Sequence, residues 1–364
     1  VILDKGTPTR YPVPYTLWRK KRGLPRGQGL TYDHSLEEVV EITRRHSLAA
    51  EPVQPDDPTS SWLTAPRAAL DGLRKVRGAS DYVAHAGVCS GGLNAVYFVE
   101  KLMERPDGLV VISNITEGAR VQVQQVREAV EPDLLYPLLR GRDVRRWNAE
   151  PSSHIVVVSR EDGTVLSEEE MQSEYPRTYG YLARFRERLS GRTHPITRGA
   201  LQRRAPFFWF MGLADYTFAP WKVVWPWISQ TIAGAVCDRW EGKTVVPEHN
   251  VSLIPFDSEH EAHYTAAALN SSPFAGGAVG SWSGGGGGIA SPVVMERLHV
   301  PAFDGSDLHV RLAELSQAAH QAAAAGDEER VAEIEAEIDE LAAELWGLTE
   351  KELQAIREAL EIVS

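Results

Sequence analysis

Hydrophobic and polar residues are arranged differently in the two parts of the chain. Up to about residue 260, short apolar runs are bounded by turn residues, which is the pattern of β-strands. Strands are predicted on this basis at residues 109–112, 154–159, 207–210, 222–225 and 252–256. Residues 94–99 also read as a strand, after a tight turn at Gly91-Gly92.

Helical spacing is predicted at residues 35–46, 62–76, 175–192 and 258–269. Ser35 with Glu38 three positions later matches a capping box at the start of the first helix. From Ser306 onward the pattern is helical throughout. Apolar residues at i, i+3, i+7, i+10 and i+14, separated by Glu and Asp, predict an amphipathic helical pair with an acidic outer surface, namely Val331, Ile334, Ile338, Leu341 and Leu345.

The order of these elements predicts an α+β fold, with a mixed β-rich lobe, peripheral helices and a C-terminal helical pair. Residues 1–34, rich in Pro, Gly, Lys and Arg, are predicted to be loop-like. The five consecutive glycines within residues 281–288 predict a surface loop. We therefore expect three segments: a linker at 1–61, the β-rich domain at 62–305 and acidic helices at 306–364.

Composition places the chain among ordinary soluble proteins. Its 364 residues are 43% hydrophobic and 24% charged, which excludes disordered, collagen-like and small disulfide-rich classes. No uninterrupted apolar stretch of about 18 residues exists, so no membrane contact is expected. Two distant cysteines, Cys89 and Cys237, suit a reduced, cytoplasmic protein. The first residues, Val1 to Lys5, show neither a signal pattern nor a Met and indicate a fragment of a longer protein.

The net charge of −12 is confined to one end of the chain. Residues 301–364 contain 16 acidic and 4 basic residues, so the first 300 residues contain 34 of each sign and are neutral. Arginines cluster at 140–146 and 184–204, and Arg suits bidentate contacts with phosphate or guanine. A phosphate-binding face is one interpretation; solvated helix faces are the alternative.

Other motifs give weaker signals. Glu241-Gly242-Lys243-Thr244 is similar to the end of a phosphate loop, but Cys237 stands where the first glycine belongs, so a turn between strands is favoured. Glu241 and Lys243 also have nuclease spacing, with Asp215 or Asp238 as a second carboxylate.

Two further motifs bear on metal binding and nucleophilic catalysis. His260 and His263, one helical turn apart, could bind zinc with His249, although solvent-facing residues are favoured. Residues 88–92 lack the first glycine of a nucleophile elbow and indicate a tight turn.

Seven segments taken in order carry a more specific signal. The strongest is Leu135-Tyr136-Pro137-Leu138-Leu139-Arg140-Gly141-Arg142-Asp143-Val144-Arg145-Arg146-Trp147. Together they resemble the TaqI-like C-terminal specificity domain of adenine-N6 DNA methyltransferases, including fused restriction–modification and phage-defence methylases, over about residues 62 to 355. The other six segments are residues 82–98, 181–192, 216–225, 261–272, 300–304 and 345–349.

The resemblance implies a domain that binds duplex DNA and selects the site at which an attached methyltransferase domain acts. The methylase motifs themselves are missing: the chain has no Asn-Pro-Pro-Tyr motif and no glycine-rich loop for S-adenosylmethionine, and Ser272-Pro273-Phe274 is only a fragment of the former. No cofactor is therefore expected in this chain, whereas S-adenosylmethionine is expected for the parent protein. Residues 1–61 are then the exit from the missing methyltransferase domain.

Candidate DNA contacts follow from charge and position within the matching segments. Phosphate contacts are predicted for the arginines around the Gly-Arg-Asp turn, with pairing of Arg142 or Arg145 to Asp143 or Glu150 as the alternative. Lys222 could bind phosphate or pack its stem on Trp221 and Trp225. The candidates are Ser90, Asn94, Arg140, Arg142, Arg145, Arg146, Arg184 and Lys222.

Three functions are compatible with these patterns. The first is a DNA target-recognition module without catalysis of its own. The second is a metal-dependent nuclease built around Glu241 and Lys243. The third is an interaction module whose acidic terminal helices dock a methylase subunit or domain.

Overall fold

The computed structural model describes residues 6, 8–21, 33–229, 231–280 and 290–363 and confirms the α+β class. The first elements are β1 (Val13–Lys20), α1 (Leu36–Ile42), β2 (Thr43–Pro52), β3 (Trp62–Ala65), α2 (Arg67–Val76), β4 (His85–Ala86), α3 (Asn94–Tyr97), β5 (Phe98–Glu104), β6 (Val110–Asn114) and β7 (Arg127–Val130). The next elements are β8 (Leu135–Leu139), β9 (Val144–Arg145), β10 (Asn148–Ala149), β11 (Ser153–Val156), α4 (Glu168–Glu174), α5 (Pro176–Ala183), α6 (Arg186–Ser190) and α7 (Pro195–Gln202).

The second half of the chain completes the sheets and then becomes helical. Its elements are β12 (Trp221–Pro226), β13 (Ala235–Cys237), β14 (Arg239–Trp240), β15 (Lys243–Thr244), β16 (Val246–Pro247), β17 (Val251–Phe256), α8 (Glu259–Asn270), α9 (Ser272–Gly280), α10 (Asp307–Ala325), α11 (Glu328–Leu345) and α12 (Glu350–Val363). The strands predicted at 109–112, 222–225 and 252–256 and the helix predicted at 258–269 are confirmed, and the strand predicted at 154–159 is confirmed as far as Val156.

Two sheets meet at the centre of the molecule. A six-stranded sheet has the order β16-β8-β11-β5-β6-β7 and is antiparallel except for the β16–β8 pair. A four-stranded sheet has the order β13-β12-β17-β4. A small apolar core that includes Leu139, Val224 and Leu253 joins the two sheets, so the loops beside this core are rigidly placed.

The strand predicted at residues 207–210 is wrong. These residues form a buried turn against the six-stranded sheet. The Tyr97 hydroxyl donates to the Phe208 carbonyl at 2.7 Å, and the Arg192 guanidinium donates to the Phe207 carbonyl at 2.7 Å. Side chains thus satisfy these buried carbonyls without a neighbouring strand. The apolar pattern predicted burial correctly but not conformation.

The ends of the chain also differ from expectation. Residues 13–20, predicted to be loop-like, form β1, which pairs with β2 from Val13 opposite Ala50 to Lys20 opposite Thr43. The aromatic and β-branched residues of that segment override its Pro- and Lys-rich composition. The C-terminal pair is in fact three helices, because Gly326 and Gly347 adopt left-handed φ angles of 72° and 60° and interrupt the helical run.

Three of the predicted helical segments contain helices, but the helices have other bounds than predicted. The Ser35–Glu38 capping box is present, with the Ser35 amide donating to Glu38 Oε2 at 2.7 Å, but α1 ends at Ile42 because β2 begins there. The segment 62–76 is β3 followed by α2, and the segment 175–192 is α5 and α6, two short helices. The strand predicted at 94–99 begins only at Phe98, after α3. The predicted glycine loop lies outside the described residues.

Two histidines pack against each other between α8 and α10, and His263 is the buried one. His263 Nδ1 lies 3.0 Å from Ser316 Oγ, and its ring meets that of His320 edge to face at 5.0 Å. Burial and the neighbouring His320 lower the pKa of His263 to about 3.

None of the described helices has the length and apolar character that crossing a membrane requires.

We expect acid to unfold the chain partly through His263. Below pH 6.5 the unfolded chain binds a proton at this position that the folded chain does not bind until about pH 3. The free energy of unfolding therefore falls as pH falls through this window, by up to about 1.4 kcal/mol per pH unit from this residue. Urea denaturation of His263→Asn between pH 7 and 4.5 should show a shallower pH dependence. If His263→Asn shows the wild-type pH dependence of the free energy of unfolding, His263 does not have this role. His260→Asn, on the exposed face of α8, is the control.

Candidate nucleic-acid interface

A groove opens beside the junction of the two sheets. It consists of two adjoining concavities of about 230 and 360 Å³, which share Arg140, Glu248 and Asn250. Its walls come from the start of α3, the loop between β6 and β7, the loop after β8 and the turn between β16 and β17. We call this the junction groove and define it by Asn94, Arg120, Arg140, Arg142, Ile228, His249 and Asn250.

The Gly-Arg-Asp turn after β8 is held by Asp143. The Arg140 amide donates to Asp143 Oδ2 at 2.9 Å, and the Ser152 hydroxyl donates to Asp143 Oδ1 at 2.8 Å. The Asp143 amide in turn donates to the Arg140 carbonyl at 2.8 Å. With both carboxylate oxygens occupied, residues 141–143 form a 3₁₀ turn from which the neighbouring guanidinium groups project.

The two arginines of this turn have few partners within the protein. The side chain of Arg142 is 66% exposed, and its Nε forms the ion pair with Asp143 Oδ1 that the alternative interpretation predicted, at 3.8 Å, a distance too long for a hydrogen bond. The Arg140 guanidinium lies over the Phe98 ring at 5.6 Å, and its Nε is buried without a hydrogen-bond partner among the described residues. These guanidinium groups therefore retain donors for an anionic ligand.

Glu248 ties two walls of the groove together. Its side chain is buried and accepts a hydrogen bond from the Gly141 amide at 3.2 Å, while its carbonyl accepts one from the Val251 amide at 2.8 Å. Burial raises the pKa of Glu248. A Cβ at Gly87 would collide with the Glu248 and Pro247 carbonyl oxygens, so only glycine allows this close approach.

His249 and Asn250 are exposed at the tip of that turn. The His249 ring contacts the Trp227 ring at 5.0 Å, and partial burial together with His194 lowers the pKa of His249. The imidazole is thus neutral at pH 7 and can both donate and accept a hydrogen bond. A neutral imidazole and a carboxamide are suited to base edges rather than to phosphates.

The tight turn predicted at Gly91-Gly92 is confirmed, with φ angles of 70° and 98°. Ser90 is buried, and its hydroxyl donates to Asn94 Oδ1, which orients the exposed Asn94 amide at the groove wall. The buried Arg192 donates to the Ser90 carbonyl at 3.1 Å and to the Leu189 carbonyl at 2.8 Å. Ser90 therefore positions Asn94 and does not itself reach the surface.

The groove brings together three of the eight predicted contact residues: Asn94, Arg140 and Arg142. Arg145 is exposed on β9 and forms no ion pair with a described carboxylate, so the predicted pairing of Arg145 with Asp143 or Glu150 does not occur. Arg146 faces the C-terminal helices, with its Nε 2.6 Å from Glu335 Oε1.

The remaining two candidates lie apart from the groove. Arg184, after α5, pairs with Glu128 on the edge strand β7. Lys222 is fully buried; its Nζ donates to the Ala219 carbonyl at 2.7 Å, and burial lowers its pKa to about 8. At this position no part of Lys222 is accessible to a DNA phosphate.

Sequence reasoning missed four residues of the junction groove. Arg120 lies in the long loop between β6 and β7, Ile228 is 82% exposed after β12, and His249-Asn250 form a turn tip. The available signal was their position in loops that directly follow or precede buried strands, where binding residues are commonly placed. These residues lie up to 130 positions apart along the chain, so they do not form a sequence motif.

The two residues of the rival nuclease motif are engaged in other contacts. Glu241 and Gly242 form the turn between β14 and β15, with φ angles of 51° and 78°, as the favoured interpretation predicted. Glu241 Oε2 lies 3.2 Å from Lys101 Nζ and 3.4 Å from His154 Nε2, and Lys243 donates to the Pro132 carbonyl at 2.6 Å.

The proposed zinc ligands are also apart. His260 is exposed, as the solvent-facing interpretation predicted, but His263 is buried beside Ser316, and His249 lies in the junction groove. Within the described part of the chain, no group of three or more His, Cys, Asp or Glu side chains could hold a metal ion.

Comparison with known proteins gives a partial match. The chain is similar to the type II methyltransferase M.NspV of Nostoc sp. (strain ATCC 29411 / PCC 7524), with 23% identity over 145 residues, or 39% of this chain and 28% of that protein. The solved structure of the type IIL restriction-modification enzyme MmeI in complex with DNA aligns with 88% of this chain and 39% of that chain, at a TM-score of 0.48 and 11% identity. No family model matches.

Proposed function

We propose that the junction groove binds duplex DNA and that the chain is the target-recognition part of a site-specific adenine-N6 DNA methyltransferase or restriction–modification enzyme. The observation that carries this proposal is the grouping of three arginines around two carboxamides and a neutral imidazole. Arg120, Arg140 and Arg142 would contact phosphates and set the register on the duplex. Asn94, His249 and Asn250 would read base edges.

The sequence comparison supports the same class of protein. The matched protein is a type II methyltransferase, which fits the class of enzyme that the sequence resemblance implies. The match spans just over a quarter of that protein, so activity of the whole enzyme is part of the proposal. We place the parent protein in the cytoplasm, in restriction–modification or phage defence.

Methyl transfer would belong to a methyltransferase domain in the same parent chain. S-adenosylmethionine would supply the methyl group in that domain. In the fragment Ser272-Pro273-Phe274, Pro273 and Phe274 are buried at the start of α9, and the Ser272 hydroxyl donates to Asp339 Oδ2 at 2.6 Å. That fragment therefore fastens α9 to α11.

A salt titration tests the groove directly. We expect the double variant Arg120→Gln, Arg142→Gln to bind duplex DNA at least tenfold more weakly at moderate salt. The slope of log affinity against log salt should become shallower by about 2, because two phosphate contacts are lost. The matched control is the double variant Arg311→Gln, Arg330→Gln, which replaces two exposed arginines that pair with Glu337 at 2.7 Å and with Glu333 at 2.8 Å. Equal slopes for the Arg120→Gln, Arg142→Gln variant and wild type would refute a phosphate-binding groove.

A further inference from the structure

The β1–β2 hairpin carries a second concentration of positive charge, far from the arginine clusters of the sequence. In its inner half β2 is buried, because Ala49 packs with β3, α2 and α12 and Ala50 pairs with β3, whereas Tyr15 of β1 is 42% exposed. Its outer half, residues 18–21 and 43–46, is largely exposed. We call this outer half the basic ribbon; its cations are Arg19, Lys20, Lys21, Arg44 and Arg45.

The register of the hairpin sets like charges side by side. Arg19 lies directly opposite Arg44, and Trp18 lies opposite Arg45, whose guanidinium stacks over the Trp18 ring at 5.4 Å. Like charges at directly opposite positions destabilise an antiparallel pair. The hairpin therefore keeps an arrangement that costs stability in the isolated chain.

No carboxylate of the described residues compensates this charge. None of the five ribbon cations forms an ion pair with a described Asp or Glu, and residues 22–32, which connect the strands to α1, contain no acidic residue in their sequence. On α1, Glu38 accepts a hydrogen bond from the Ser35 amide, and Glu37 and Glu41 are exposed. Among the described residues, the positive charge of the basic ribbon is therefore not neutralised by a paired carboxylate.

We propose that the basic ribbon is a second DNA-binding element, which contacts the phosphate backbone of the duplex without reading its sequence. A two-stranded β-ribbon fits the major groove of B-DNA, and unpaired arginines and lysines on both of its faces match the phosphates that border that groove. This inference rests on the proposed function of the junction groove and adds a contact that groove does not supply. Trp18, 37% exposed beneath Arg45, stiffens one face of the ribbon.

The test compares two sets of four neutral substitutions in the full chain. The ribbon variant is Arg19→Gln, Lys20→Gln, Arg44→Gln, Arg45→Gln. The control replaces four exposed arginines that have carboxylate partners by Gln, namely Arg105, Arg160, Arg311 and Arg330. Affinity for random-sequence and selected duplexes, its salt slope and the thermal midpoint of unfolding are measured for both variants and the wild type.

We expect the ribbon variant to lose at least tenfold in affinity for every duplex, with a salt slope shallower by about 3 to 4 and an unchanged sequence preference. Its thermal midpoint should equal or exceed that of the wild type, because cross-strand repulsion is relieved. If the fourfold variant fails to fold, Arg19→Gln, Arg44→Gln carries the test and should lose at least threefold in affinity.

The possible failures are distinguishable. If the ribbon variant binds selected duplexes with the affinity and the sequence preference of the wild type, the proposal for the ribbon is wrong and the proposal for the groove stands. If the wild type binds all duplexes equally and the ribbon variant does not bind, the proposal for the ribbon stands and sequence recognition by the groove is wrong. No binding of the wild type to any duplex would overturn both.

Discussion

Trp147→Ala is expected to lower the free energy of unfolding by about 3–5 kcal/mol, the range typical of a buried tryptophan truncated to alanine. Trp147 lies at the tip of the β9–β10 hairpin and is 1% exposed, with a left-handed φ of 63°. Its indole Nε1 donates to Glu335 Oε1 at 2.6 Å, and its ring meets His320 edge to face at 5.5 Å. Truncation removes a large buried ring between the sheets and the C-terminal helices.

Urea denaturation measures this effect, and Trp147→Phe is the matched control. Phenylalanine keeps most of the ring burial and loses the hydrogen bond to Glu335, so we expect a loss of about 1–2 kcal/mol. A loss below about 1 kcal/mol for Trp147→Ala would show that this hairpin does not hold the helices in place.

Arg192→Met is expected to destabilise the chain by about 3 kcal/mol and to weaken DNA binding as well. Arg192 is 5% exposed, has no described carboxylate partner, and donates to three main-chain carbonyls, those of Leu189, Ser90 and Phe207. Burial lowers its pKa. Methionine fills similar space and leaves three buried acceptors unsatisfied. The turn that orients Asn94 would then lose its anchor.

Arg192→Lys relates the loss of stability to the loss of DNA binding. Lysine keeps the positive charge but can donate to fewer of the three carbonyls. We expect intermediate stability by urea denaturation and intermediate affinity for duplex DNA at a temperature where all variants are folded. Wild-type stability for Arg192→Met would contradict an anchoring role. Reduced stability with wild-type affinity would separate this turn from DNA binding.

Local patterns in the sequence were sufficient where the local interaction decides the structure. The Ser35–Glu38 box needs only residues three apart, and the apolar runs at 109–112 and 252–256 need only a sheet to cover them. Residues 207–210 show the limit. Their apolar character predicted burial, but the donors that replace a neighbouring strand come from Tyr97 and Arg192.

The candidate site was predictable only in part, for a similar reason. The Gly-Arg-Asp turn is local, so Arg140 and Arg142 were correctly placed beside it. The direction of Lys222 depends on packing from both sides of β12, which the sequence does not reveal. Arg120 and Asn250 become neighbours of Arg140 only through the sheet order, in which β8 pairs with β16 and β11.

Selection of bound fragments from random-sequence duplex DNA, at two salt concentrations, tests recognition by this chain most directly. We predict that sequencing of the bound fraction will show one enriched motif and that affinity will fall steeply as salt rises. Binding without enrichment would contradict sequence reading by the junction groove, and absence of binding at both salt concentrations would contradict DNA recognition by this chain altogether.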